Sequence, residues 1–203
     1  MRNRLLVCLI VVLALMVGVQ SLVVSAATQD EILASIEDGI TWLADQQNDD
    51  GSWGNWEKVG HTGFAVVKLE DRAYELGYTP FDDEYLYSEN VIDGLNYIFS
   101  QAAYSGCSDE PTVVFAEGGH ETYNTGIAMM AIAASRTPTR DVDVTGSIVD
   151  DWSYQEVIQA NVDYFECAQN EDGAWRYWYN DDPSDNSNTG YAVLGLRYAE
   201  EFG

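Results

Sequence analysis

The segment Glu117-Gly118-Gly119-His120-Glu121-Thr122-Tyr123 holds the residues best suited to catalysis in this chain. An imidazole changes charge near neutral pH, so His120 with Glu117 or Glu121 is a candidate proton-transfer group, and Tyr123 completes the set. The plainer alternative is a glycine-rich loop whose histidine caps or packs against a helix; His61, beside Thr62, invites the same alternative. With two histidines in the whole chain, a His-rich metal site is excluded. Trp56, Trp178 and Tyr179 lie in polar loops and are candidate plates for sugar rings or apolar chains. Asp181, Asp182 and Asp185, with Asn186 and Asn188, crowd one loop with oxygen atoms of the kind Ca²⁺ takes as ligands. Their spacing is not that of an EF-hand, so an ordinary polar loop is the preferred reading there.

These residues are placed by a repeat. Gln47-Asn48-Asp49-Asp50-Gly51-Ser52-Trp53 returns as Gln169-Asn170-Glu171-Asp172-Gly173-Ala174-Trp175. Each copy leads, through an aromatic and polar loop, to Thr-Gly-aromatic-Ala at Thr62 and at Thr189. A third Thr-Gly pair, at Thr125, lacks the Gln-Trp half. The Thr positions are 63 and 64 residues apart, a near-constant period that marks an array of supersecondary units.

Between the repeated strings the apolar residues fall at helical spacing. Ile32, Leu33, Ile36, Ile40 and Leu43 predict a helix over 28–47, stopped by Asp50-Gly51. Thr62 is read as the N-cap of a second helix that ends near Gly77. A further helix carries Val91, Leu95, Ile98 and Phe99, and an apolar one runs over 125–134. Ser153 with Glu156 three residues on reads as a capping box for a helix bearing Val157, Ile158, Val162 and Phe165. The last helix spans 190–202. The expectation is all-α, six helices in three pairs, with 106–119 irregular and no strand.

The first 26 residues read as a targeting segment. Arg2 and Arg4 precede the apolar run from Leu5, and Ser25-Ala26-Ala27 offers the small residues of a cleavage site. A retained membrane anchor is the alternative, and either places the domain over 27–203 outside the cytoplasm, secreted or at the cell surface. Without Arg2 and Arg4 the chain has 7 basic and 34 acidic residues, so 7 − 34 = −27. Such a surface repels phosphate backbones and excludes nucleic acid as a partner. It suits high salt, and divalent cations are the sharper alternative. Cys107 and Cys167 either form one disulfide, which an exported protein permits, or stay as separate thiols.

Gln-x-x-Asp-Gly-x-Trp, present as Gln47, Asp50, Gly51, Trp53 and as Gln169, Asp172, Gly173, Trp175, resembles the QW motif of the terpene cyclase and protein prenyltransferase superfamily. The resemblance covers residues 30–203 and implies an α/α toroid with helices lining a central cavity. Three helix pairs amount to half of such a ring, which would stay open, close as a homodimer or continue into further repeats. The acid motif Asp-x-Asp-Asp of the family's cyclases is approached only by Asp141-Val142-Asp143-Val144, which lacks the last acid. Asp82-Asp83 stands alone, and Cys107 has no companions for a zinc site. The segment Gly118-Gly119-His120 loosely resembles the stretch before an inner helix in prenyltransferase β subunits. The repeat, the export signal and the missing acid motif together point to an exported binding or assembly module; the loop aromatics suit a glycan or an apolar ligand, and the loop carboxylates make Ca²⁺ a candidate ion. The alternative is a toroid enzyme, cyclase-like or acting on polysaccharides.

Overall fold

The computed structural model of the chain describes residues 26–202, so the expected leader falls outside them except for Ala26. One compact unit spans Glu37–Gly203; the other, Met1–Ile36, contributes among its described residues the start of the first helix. That helix, α1 (Gln29–Asp45), opens with a reciprocal cap. The Thr28 N–H donates to Glu31 Oε2 at 2.8 Å, and the Glu31 N–H donates to Thr28 Oγ1 at 3.3 Å. Two orphan donors of the first turn are satisfied this way.

Five more helices follow: α2 (Lys58–Leu76), α3 (Ser88–Ser100), α4 (Glu121–Ala134), α5 (Tyr154–Ala168) and α6 (Asn186–Phe202). Gly77 ends α2 in the left-handed region at φ 88, a conformation that costs a residue without Cβ nothing. Its N–H donates to the Tyr74 carbonyl and that of Tyr78 to the Ala73 carbonyl, which closes the helix. The box at α5 is complete: the Glu156 N–H donates to Ser153 Oγ and the Ser153 N–H to Glu156 Oε2.

The fold is mostly rather than wholly helical. Ala102–Ser105 (β1) and Thr112–Phe115 (β2) form an antiparallel hairpin with Ala102 opposite Phe115, although no strand is expected and β2 falls within the 106–119 stretch read as irregular. All four residues of β2 are buried, so no polar alternation betrays the strand, although Thr-Val-Val-Phe has the branched and aromatic residues strands favour. Asn161 on α5 donates to the Val113 carbonyl at 2.7 Å and satisfies an acceptor inside the core.

The three Thr-Gly helices α2, α4 and α6 pack in sequence. A Cβ on Gly63 would stand 2.7 Å from Ile127 Cγ2, and one on Gly126 would stand 2.5 Å from the Tyr191 carbonyl oxygen. Glycine is therefore required at both, since only a bare backbone admits the next helix so closely. Every residue of α4 from Asn124 to Ala134 is buried, as its apolar circumference demands. Around these helices Leu69, Leu95, Ile98, Phe99, Ile132 and Phe165 form the centre of the core. The connection over 136–153 is packed: Val142 exchanges backbone bonds with Asp151 and Trp152, while Asp141 and Asp143 on either side are exposed.

Candidate functional site

The two Gln-Trp loops share the bonds of their glutamine and tryptophan side chains. Gln47 Nε2 donates to the Gly51 carbonyl at 2.9 Å, and Gln169 Nε2 to that of Gly173 at 2.8 Å. Both glycines are left-handed, at φ 83 and φ 84. Trp53 Nε1 donates to the Leu43 carbonyl at 2.7 Å, and Trp175 Nε1 to that of Phe165 at 2.9 Å. Each indole is thus buried with its one donor satisfied on the preceding helix. Lys58 and Ser52 hydrogen-bond the Asp50 carboxyl and hold it at about 2. Gln47 also reaches forward: it donates to the Asn90 carbonyl at 3.0 Å and accepts from Asn90 Nδ2 at 2.7 Å, which stitches the loop to α3.

The threonines share one role, and for Thr62 it is not the N-cap expected. Thr62, Thr125 and Thr189 sit inside their helices, four, four and three residues after the first. Each accepts one backbone N–H from the segment before its helix: Trp53 to Thr62 at 2.9 Å, Phe115 to Thr125 at 3.0 Å, Trp175 to Thr189 at 3.1 Å. The third repeat therefore has its aromatic after all, with Phe115, at the end of β2, in the tryptophan's place.

The loops before α2, α4 and α6 meet at His120. Its Nδ1 lies 2.5 Å from Glu57 Oε1, and its ring stacks on Tyr177 with centroids 4.5 Å apart. Glu57 precedes α2 as His120 precedes α4; the two are 63 residues apart, one repeat. The neighbour expected to partner His120, Glu121, is instead half-buried with Oε2 unpartnered, and burial pushes its carboxyl up. Glu117 opens the short 3-10 turn Glu117–Gly119. Glu57 was missed because nothing local marks it; only the repeat register does. Its backbone is left-handed at φ 47, a conformation disfavoured for a residue with Cβ. The Asn124 amide donates to its other oxygen at 3.4 Å. Tyr123 packs edge-on against Tyr191 at 4.7 Å, and burial, then Tyr191, raises its hydroxyl.

The aromatic candidates divide. Trp56 is 70% and Trp178 42% exposed, the first edge-on to His61 and the second beside Tyr177 and over Gly119. Tyr179 instead packs against the core and lies at Gly106. Among the described residues no group of three or more His, Cys, Asp or Glu side chains can hold a metal ion. Asp181 pairs with Arg176 at 3.3 Å. Asp185 takes the α6 first turn: burial would raise its carboxyl, but hydrogen bonds from Asn188 and Ser187 hold it low. Asp182 is exposed, so the loop uses its oxygens on itself. Cys107 and Cys167 are joined by a disulfide that ties the β-hairpin to the end of α5. A cavity of about 550 Å³ opens elsewhere, between α1 and α2, with Trp42, Leu43, His61, Phe64, Ala65 and Lys68 in its wall.

A stretch of 41 residues is 46% identical to the ent-copalyl diphosphate synthase of Streptomyces sp. (strain KO-3988). It covers 20% of this chain and 8% of the synthase, so the chain spans a small part of that protein's length. The likeness supports a terpene cyclase-like relationship at most. No family model and no solved structure matches the chain.

Proposed function

We propose that this chain is a binding module built from terpene cyclase-like helical repeats, a partial α/α toroid that acts outside the cytoplasm. The observation that carries the proposal is the rim formed by the loops before α2, α4 and α6. The polar centre is Glu57, His120 and Tyr177, and two exposed indoles adjoin it: Trp56, next to Glu57 in the chain, and Trp178, packed beside Tyr177. Aromatic faces beside a carboxylate, an imidazole and a hydroxyl suit a sugar ring, whose C–H face stacks while its hydroxyls hydrogen-bond. The apolar leader and the disulfide support an oxidising location for such a ligand.

Titration with neutral oligosaccharides, followed by tryptophan fluorescence and calorimetry, tests this. Trp56→Ala and Trp178→Ala should each weaken binding on the order of tenfold, about 1.4 kcal/mol, without a change in circular dichroism. Binding that survives both substitutions would remove the rim from the proposal. One observation favours a second reading as an enzyme: Glu57, conformationally strained and mostly buried, orients His120 as an orienting acid does a general base. Turnover of a bound polysaccharide that His120→Ala abolishes, with binding retained, would select that reading.

A further inference from the structure

The repeat allows each end of the helix array to be compared with its own interior. Gly63 packs on Ile127 of the next Thr-Gly helix, and Gly126 on Tyr191 of the one after. Gly190, the third member, has nothing within 4 Å of where a Cβ would stand. Three residues on from each glycine are Val66, Met129 and Val193; the first two are fully buried, the third is 53% exposed. Four residues on, Val67 and Met130 are buried and Leu194 is 45% exposed. Gln47 bonds forward to α3, whereas Gln169 among the described residues makes only its within-loop bond. The face of α6 thus carries a helix-docking surface with no helix on it among the described residues.

The other end is its complement. The residues through which α4 and α6 meet the preceding helix are Ile127 with Ala128, and Tyr191 with Ala192; their counterparts on α2 are Phe64, whose ring also packs edge-on against Tyr191 of the same chain at 5.8 Å, and the buried Ala65. Those two residues, with Trp42, form the wall of the 550 Å³ cavity. Trp42 is 63% exposed, whereas Tyr164, which stands at the same distance before its Gln-Trp loop, is fully buried.

We propose that these ends bind each other between copies: α6 of one molecule seats in the α1–α2 cleft of a second, continuing the α2–α4 and α4–α6 interfaces. The contact is head-to-tail, so it closes a ring or extends a filament. Lys68 stands where Ala131 and Gly195 allow close approach, so the joint between copies is wider than those within the chain and reversible. Two chains of about −25 repel at low ionic strength, and association therefore strengthens as salt shortens the screening length to roughly 3 Å near 1 M.

Sedimentation velocity of the full chain over a concentration series, at low salt and in molar salt, tests the proposal. Wild type should gain mass with concentration in molar salt. Val193→Asp with Leu194→Asp, and separately Trp42→Asp, should each weaken self-association at least tenfold. All three positions are exposed, and unchanged circular dichroism checks the fold. Mixing the two variants should restore a one-to-one pair, because each retains the face the other has lost. Three outcomes would overturn the proposal: a monomer at every concentration in molar salt, a Val193/Leu194 variant that associates like wild type, or a mixture that stays monomeric. None of them touches the oligosaccharide result at Trp56 and Trp178.

Discussion

Thr62, Thr125 and Thr189 show how one hydroxyl per repeat can organise a joint. Each accepts a backbone N–H that would otherwise be trapped without a partner, at a cost of about 1–3 kcal/mol. Glu70, by contrast, is wholly buried on α2 with neither carboxyl oxygen hydrogen-bonded. Burial, with a smaller push from Asp71, raises its carboxyl well above the ordinary 4.5. Below 4.5 the group is neutral in folded and unfolded chains alike and imposes no charge penalty. As pH climbs from there toward the raised folded value, the unfolded chain releases the proton and the folded one resists, so stability falls. Glu70→Gln should therefore match wild type near pH 4 and exceed it by about 1–3 kcal/mol at pH 7. Urea unfolding of both proteins across that range measures the gap; a difference that does not widen with pH refutes the assignment.

Among the elements, the glycines that admit neighbouring helices set the spacing of the array. Gly126→Ala would drive a methyl to 2.5 Å from the Tyr191 carbonyl, with backbone on both sides and no side chain to swing away. A loss of about 1–3 kcal/mol is expected. Gly190→Ala at the same repeat position meets open space and should be neutral or stabilising by up to about 1 kcal/mol, the helix preference of alanine over glycine. Thermal unfolding of both variants at dilute concentration gives the comparison, and equal effects would mean the repeat register is wrong. Helix positions were legible beforehand because apolar spacing, the Ser153–Glu156 box and Gly77 act within a few residues. The β-hairpin was not, because four buried residues carry no period and its partner strand lies across a loop.

At the scale of the whole molecule, Cys107–Cys167 spans 60 residues and encloses α4, so it restricts the unfolded chain as well as joining hairpin to helix. The chain-entropy account assigns such a loop about 4 kcal/mol. Cys107→Ser with Cys167→Ser should lower the unfolding free energy by roughly that amount, measured by denaturant titration of non-reduced proteins. A change under about 1 kcal/mol would leave the bond outside the stability of the fold. The strong negative charge acts at the same scale: it repels copies of the chain and leaves salt in control of their approach.

The amino-acid order by itself determined the period, the six helices, the two glutamine-tryptophan joints and the positions of the aromatic loops. Those follow from patterns a few residues long, repeated. Tertiary structure alone decided that Phe115 replaces a tryptophan, that His120 meets Glu57 rather than Glu121, and that Glu70 is buried without a partner. Each of those depends on which residues from separate repeats are brought within a few ångströms, and helix-to-helix packing, not local preference, makes that choice.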